Sequence, residues 1–199
     1  MRTPIRMIFF GAIAMLALIA PPCAGAQSEA SPSRDAVPVE KMIAAVAKRT
    51  GKKFIIDPRV HADVTVIGQD PTSVDYATML RILRIHGFSA VEQGGYVEVI
   101  PDAPVRQMPL PMMTGKDSFA DSEFVNRVIA VKSASAAQLV PVLRPLLPQY
   151  AHLVAFPCKN ALLIVDSYAN VKRIEQIVRA LDTGEPYRPT GCEPEKPSD

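Results

Sequence analysis

The 199-residue chain contains no tryptophan and has only three histidines, three cysteines and ten glycines. The histidines and cysteines are too scattered to form the ligand pattern of a structural zinc site. A glycine-rich phosphate loop, a G-x-S-x-G nucleophile elbow and the GXXG loop of KH-type RNA-binding domains are also missing from the sequence. The formal net charge is only +2, without the basic excess of a nucleic-acid-binding protein. We therefore expect no catalytic site, metal site, cofactor, small-molecule substrate or nucleic-acid partner.

The first 26 residues have the three parts of a secretory signal peptide. Arg2 and Arg6 precede an apolar run at 7–20, and the sequence Ala-Gly-Ala ends at Ala26. The run is shorter than the ~20 residues that a transmembrane helix needs. We predict cleavage between Ala26 and Gln27 and export to the periplasm, with an uncleaved membrane anchor as the alternative.

One of the three cysteines, Cys23, lies in the predicted signal peptide. Lipidation of Cys23 is disfavoured because Pro22 stands where a small residue normally precedes such a cysteine. Cleavage would leave Cys158 and Cys192, together with 20 basic and 20 acidic residues. An exported protein can keep a disulfide, and the sequence leaves open whether these two cysteines pair.

Prolines divide the rest of the chain into two compact blocks. They cluster in segments that favour extended, poorly buried backbone, which predicts a stiff tether between two separate folding units. The predicted organisation is a signal peptide at 1–26, a polar leader at 27–35, a first domain at 36–101, a proline-rich linker at 102–122, a second domain at 123–183 and a proline-rich tail at 184–199.

Hydrophobic periodicity predicts helices and short strands in both blocks, and therefore an α+β fold. In the first block, a capping box at 72–75 is expected to start the second helix, and Gly94-Gly95 suits a hairpin turn. The second block follows the order βαββα. Its first helix contains Pro141 and Pro145, which predict a kink or a late start.

Both blocks resemble the amino-terminal domains of secretins. The first, with VEKMIAAVAKRTGKKFIIDPRV, VTVIGQDPTSVDYATMLRILRIHGFSAVEQGG and YVEVIPDAPV, resembles the secretin N0 domain, which is similar to the signalling domain of TonB-dependent receptors. The second, with RVIAVKSASAAQLVPVLRPLLPQ, NALLIVD and ANVKRIEQIVRALD, resembles the KH-like N1 repeat of type II secretion secretins. Secretins normally continue into a pore domain that this sequence does not contain.

The resemblance implies a non-enzymatic periplasmic assembly or adaptor module without pore activity of its own. Its implied partners are an inner-membrane platform component and a secretin, with side-by-side packing into a homo-oligomer or ring at the outer-membrane secretin complex. The alternative is a signalling module that binds a transmembrane regulator. The two hypotheses differ over the second block, which signalling domains lack.

A short strand in the first block is the predicted partner-binding site. Val64, Thr65, Val66 and Ile67 are all β-branched and are followed by a Gly-Gln-Asp-Pro stretch that ends the strand without covering it. We expect a partner to add a strand at this edge. The alternative is that the preceding leader folds back and completes the sheet itself.

Overall fold

The computed structural model describes residues 36–192. Their helices are α1 (Val39–Thr50), α2 (Tyr76–Ile85), α3 (Ala136–Leu143) and α4 (Tyr168–Leu181). Their strands are β1 (Val37–Pro38), β2 (Lys53–Ile56), β3 (Asp63–Val64), β4 (Phe88–Gln93), β5 (Tyr96–Pro101), β6 (Phe124–Ala130), β7 (His152–Phe156) and β8 (Ala161–Ser167). No helix in this part of the chain has the length and apolarity required to span a membrane.

The first domain packs α1 and α2 against a three-stranded sheet of order β2-β5-β4. The β4–β5 hairpin turns at Gly94 and Gly95, whose positive φ angles of 58° and 80° a residue with a side chain rarely adopts. Both helices bury their apolar stripes against this sheet. The largest fully buried side chains of this core are Met42, Ile43, Met79 and Leu83.

A second, two-stranded sheet lies at the start of the first domain. Val37 of β1 pairs with Val64 of β3 in antiparallel register, and the N–H of Val39 donates to the carbonyl of Ala62 at 2.9 Å. The predicted strand at 64–67 is therefore wrong in its extent, because β3 ends at Val64. The segment just before α1 occupies its edge, which is the alternative that the sequence left open.

The second domain has the predicted βαββα order. Its sheet has the antiparallel order β6-β8-β7, and α3 and α4 cover one face. Leu143, Leu162, Ile164 and Ile174 are fully buried in this core. The helix with the two prolines is short. Pro141 lies inside α3, and Pro145 belongs to the 3-10 turn Arg144–Leu146 that follows, because a proline ring disrupts the regular main-chain bonding of a helix.

The predicted stiff tether is wrong, because the linker is packed. Val105, Leu110 and Met113 are at most 8% exposed, and residues 105–107 form a 3-10 turn. The apolar side chains of the linker fill the space between the domains. Their cluster contains Val91, Val105, Met108, Leu110, Phe124, Tyr150 and Val165. The two domains therefore form one compact unit, and their exact boundaries stay a prediction.

Candidate protein-interaction site

The loop that follows β3 presents the predicted partner-binding residues. Val64 is 1% exposed and contributes to the core, whereas Ile67 is 99% exposed. Between these extremes, Val66 is half-buried against the core. Residues 65–71 and Val37 line a shallow hollow of about 530 Å³. The structure thus brings three of the four predicted residues to one surface and places Val64 beneath it.

Hydrogen bonds hold this loop in place. The N–H and hydroxyl of Thr72 both donate to the Asp70 carboxylate, at 2.7 and 2.8 Å, and these bonds lower the pKa of Asp70. From α1, the Arg49 guanidinium donates to the carbonyls of Thr72 and Val74. These bonds anchor the end of the loop, three residues beyond the exposed side chain of Ile67.

Arg84 connects the two domains. From the end of α2, its Nε donates to the Tyr150 hydroxyl at 3.1 Å, and its Nη1 donates to the Ser167 hydroxyl at 2.8 Å. The ring of Tyr150 packs edge-on against Phe124, with 5.5 Å between the ring centres. The guanidinium of Arg84, the ring of Tyr150 and the neighbouring apolar cluster hold the two domains together.

Two buried carboxyls flank this contact. Burial raises the pKa of Asp102, against the opposing effects of the Ser89 hydroxyl that donates to it and the nearby Arg84 charge. Burial likewise raises the pKa of Asp166, although the side-chain amide of Asn170 and the N–H of Ser167 donate to its carboxylate. The charge of Arg84 therefore partly offsets the desolvation of two carboxyls, one at the start of the linker and one in the second domain.

The far end of the second domain is held by polar contacts and a disulfide. The Asp182 carboxylate accepts the main-chain N–H groups of residues 132–134. Although burial alone would raise the pKa of Asp182, these donors lower it below its usual value. The sulfurs of Cys158 and Cys192 form a disulfide across 34 residues of sequence. This bond ties the middle of the tail to the turn between β7 and β8.

Two further predictions concern the signal-peptide cleavage site and metal binding. The predicted cleavage site at Ala26 and Gln27 lies outside the described residues. Within residues 36–192, no group of three or more histidine, cysteine or acidic side chains is arranged to hold a metal ion. Sequence reasoning missed the Arg84 contact, and no local motif marks it, because its partners lie 66 and 83 residues further along the chain.

Comparison with known proteins identifies both domains. Residues 34–99 match the family model of the GspD-like N0 domain, and residues 126–186 match that of the bacterial type II/III secretion system short domain. The chain is 36% identical over 146 residues to secretin XcpQ of Pseudomonas aeruginosa, a match that covers 72% of this chain and 21% of the relative. It is 29% identical over 160 residues to secretin GspD of Vibrio cholerae, covering 78% and 24%.

A solved assembly has the same fold. The Klebsiella pneumoniae type II secretion system outer membrane complex of PulD, PulS and PulC HR domain matches with a TM-score of 0.63 and 25% identity, over 74% of this chain and 26% of that chain. The sequence spans about a fifth to a quarter of the curated relatives named above. The chain therefore belongs to the secretin family, through an N0 domain followed by the short domain that we call N1-type.

Proposed function

We propose that this protein is a periplasmic assembly module of a type II secretion system. It binds an inner-membrane platform component or a secretin ring through its N0 and N1-type domains. The observation that carries the proposal is the match of both domains, in the same order, to secretin amino-terminal regions. The alternative signalling role is not favoured, because signalling domains lack the second domain.

The solved relative suggests the kind of partner. In that assembly the secretin PulD is present together with PulS and the PulC HR domain. We propose a corresponding PulC-type domain as the partner of this chain, bound at the loop of residues 65–71. Ile67 supports this choice, because a nearly fully exposed apolar side chain above a shallow hollow suits the centre of a protein interface.

Binding of a purified PulC-type HR domain from the same cell tests this proposal. Calorimetric titration against residues 27–199 should give a saturable complex, and Ile67→Asp should weaken it at least tenfold because a charge replaces an apolar contact. Ile85→Asp is the matched control, since Ile85 is also largely exposed, at 81%, and lies outside the hollow. Equal affinities of the two variants would place the interface elsewhere, and no complex at all would reject this partner.

Export is part of the same proposal. We expect the mature protein to begin at Gln27, and amino-terminal sequencing of protein from the periplasmic fraction measures this directly. A blocked terminus at Cys23, or retention of Arg2 and Arg6 in the mature protein, would contradict the prediction.

A further inference from the structure

The outer edge of β6 is covered at both ends and open between them. At one end, the linker pairs with Asn126 as a short parallel strand. The Asn126 N–H donates to the carbonyl of Pro111, and the Met113 N–H donates to the carbonyl of Asn126, both at 2.8 Å. At the other end, the Tyr187 N–H of the tail donates to the carbonyl of Lys132 at 2.8 Å.

The open part consists of Val128 and Ala130. Both main-chain groups of Asn126 point away from β8, so those of Val128 and Ala130, two and four residues further on, point the same way. Among residues 36–192, no main-chain group outside the sheet bonds to either residue. We call these two residues the open edge. It offers two N–H donors and two carbonyl acceptors to an added strand.

An apolar hollow adjoins the open edge. On the sheet face that the helices leave uncovered, Val128, Val154 and Phe156 are 51%, 42% and 59% exposed. Together with Leu163 they line a hollow of about 360 Å³, and Lys159 stands at its rim. The other end of this same face, at Phe124 and Val165, is already buried by the apolar side chains of the linker.

We propose that the open edge binds a short extended segment of a partner protein by strand addition. The linker already occupies the neighbouring part of this edge in that manner, so the site continues an existing interface. The segment would carry apolar residues at alternate positions, facing the hollow, and an acidic residue opposite Lys159. The linker covers this edge at Asn126 and the tail covers it at Lys132, and an extended chain spans about 20 Å between these two residues at about 3.3 Å per residue. A segment of about three to five residues therefore fits between them. This surface is separate from the loop of residues 65–71, so its test is independent of the proposed function.

A synthetic strand tests the site. The peptide acetyl-TVTVD-amide would be titrated into ¹⁵N-labelled, oxidised residues 27–199. The amide signals of Val128 and Ala130 should shift saturably, and their hydrogen exchange should slow at least tenfold. Acetyl-TPTPD-amide, which lacks donors at the two proline positions, should bind at least tenfold more weakly. Absence of saturable shifts at millimolar peptide, or shifts that centre elsewhere, would overturn the proposal.

Variants of the chain distinguish strand addition from non-specific binding of the peptide. Val128→Pro removes one edge donor and should abolish binding. Phe156→Ser keeps every main-chain donor and should weaken binding severalfold through the hollow alone, so the proposal stays testable if Val128→Pro does not fold. Val142→Ser is the matched control, because Val142 is also 59% exposed but lies on α3 outside the hollow, and it should bind normally.

Self-association is the competing outcome. Sedimentation should give the same association state for the natural chain and for Val128→Pro. A dimer that dissociates in Val128→Pro would assign the open edge to a second copy of the chain and would overturn the proposal of a peptide-like partner.

Discussion

At the scale of single residues, Arg84 gives a prediction for stability. Its guanidinium donates from α2 of the first domain to Tyr150 and Ser167 of the second. Hydrogen bonds to a charged group contribute about 1.5–3 kcal/mol each where they are partly buried. We expect Arg84→Ala, which removes both bonds, to lower the free energy of unfolding by about 3 kcal/mol or more, measured by urea denaturation.

Arg81→Ala provides the comparison for that measurement. Arg81 lies one turn earlier on the same helix, and its pair with Asp121 at 3.2 Å is solvent-exposed. Exposed ion pairs contribute about 0–1 kcal/mol. An equal loss in both variants would show that the Arg84 contact is no stronger than a surface ion pair.

Asp102 gives a prediction for the pH dependence of stability. Burial raises its pKa in the folded protein above the unfolded value. Its favourable contribution is therefore complete below about pH 3.9 and is lost as the pH rises through the folded pKa. Asp102→Asn cannot ionise and can still accept the Ser89 hydroxyl. We expect it to be more stable than the natural chain at pH 7 and equally stable below about pH 4, as measured by urea denaturation at both pH values. A variant less stable at pH 7 would contradict this.

At the scale of elements, the helices and the second sheet were largely predictable, whereas the short strand at 64–67 was not. The amphipathic stripes of α1 and α4 are local and strong, so periodicity alone identifies them. The segment 64–67 has high β propensity, yet β3 ends at Val64, since β1 is just two residues long. Strand length depends on the neighbouring strand, which the propensity of one segment cannot reveal.

The start of α2 was also predicted incorrectly from the local sequence. The sequence predicted a capping box from Thr72 to Asp75, but the helix begins at Tyr76, and Asp75 itself is the N-cap, accepting the N–H of Thr78 at 2.7 Å. Thr72 belongs instead to a 3-10 turn capped by Asp70. Several side chains here can cap a turn, and the packing of the loop decides which one does.

The tail owes its position in large part to the disulfide. Its residues 183–191 are mostly exposed and make few main-chain bonds to the second domain. Closing a loop of 34 residues should stabilise the folded chain by about 3–4 kcal/mol on the chain-entropy model. We therefore expect Cys158→Ser and Cys192→Ser each to lower the free energy of unfolding by about 3–4 kcal/mol, measured under non-reducing conditions.

A thiol assay provides the control for those variants. The denatured, unreduced natural chain should contain no titratable thiol at Cys158 or Cys192. Two reactive thiols, or unchanged stability in both serine variants, would contradict a disulfide in solution.

At the scale of the whole molecule, the packed linker should make unfolding cooperative. The apolar cluster around Val105 and Leu110 and the Arg84 contact both lose their partners if one domain unfolds alone. We expect a single calorimetric transition whose calorimetric and van't Hoff enthalpies agree. Arg84→Ala should broaden it or divide it in two. Two well-separated transitions in the natural chain would show instead that the two domains unfold independently.

The linker also explains why the domain arrangement escaped prediction. Proline content correctly indicates non-helical backbone, but it carries no information on burial. Leu110 and Met113 are buried only because the second domain supplies an apolar face, and Arg84 finds its partners only after both domains have folded. Such contacts depend on residues distant in the chain, so periodicity and composition cannot detect them.

The bond between Cys158 and Cys192 has a consequence for the biogenesis of the chain. A polypeptide that crosses a membrane amino-terminus first delivers Cys158 well before Cys192. The bond can form only after α4 and the start of the tail have also arrived. In the export that we propose, oxidation would therefore mark chains whose residue 192 has arrived, and a chain clipped before residue 192 would keep a free thiol at Cys158.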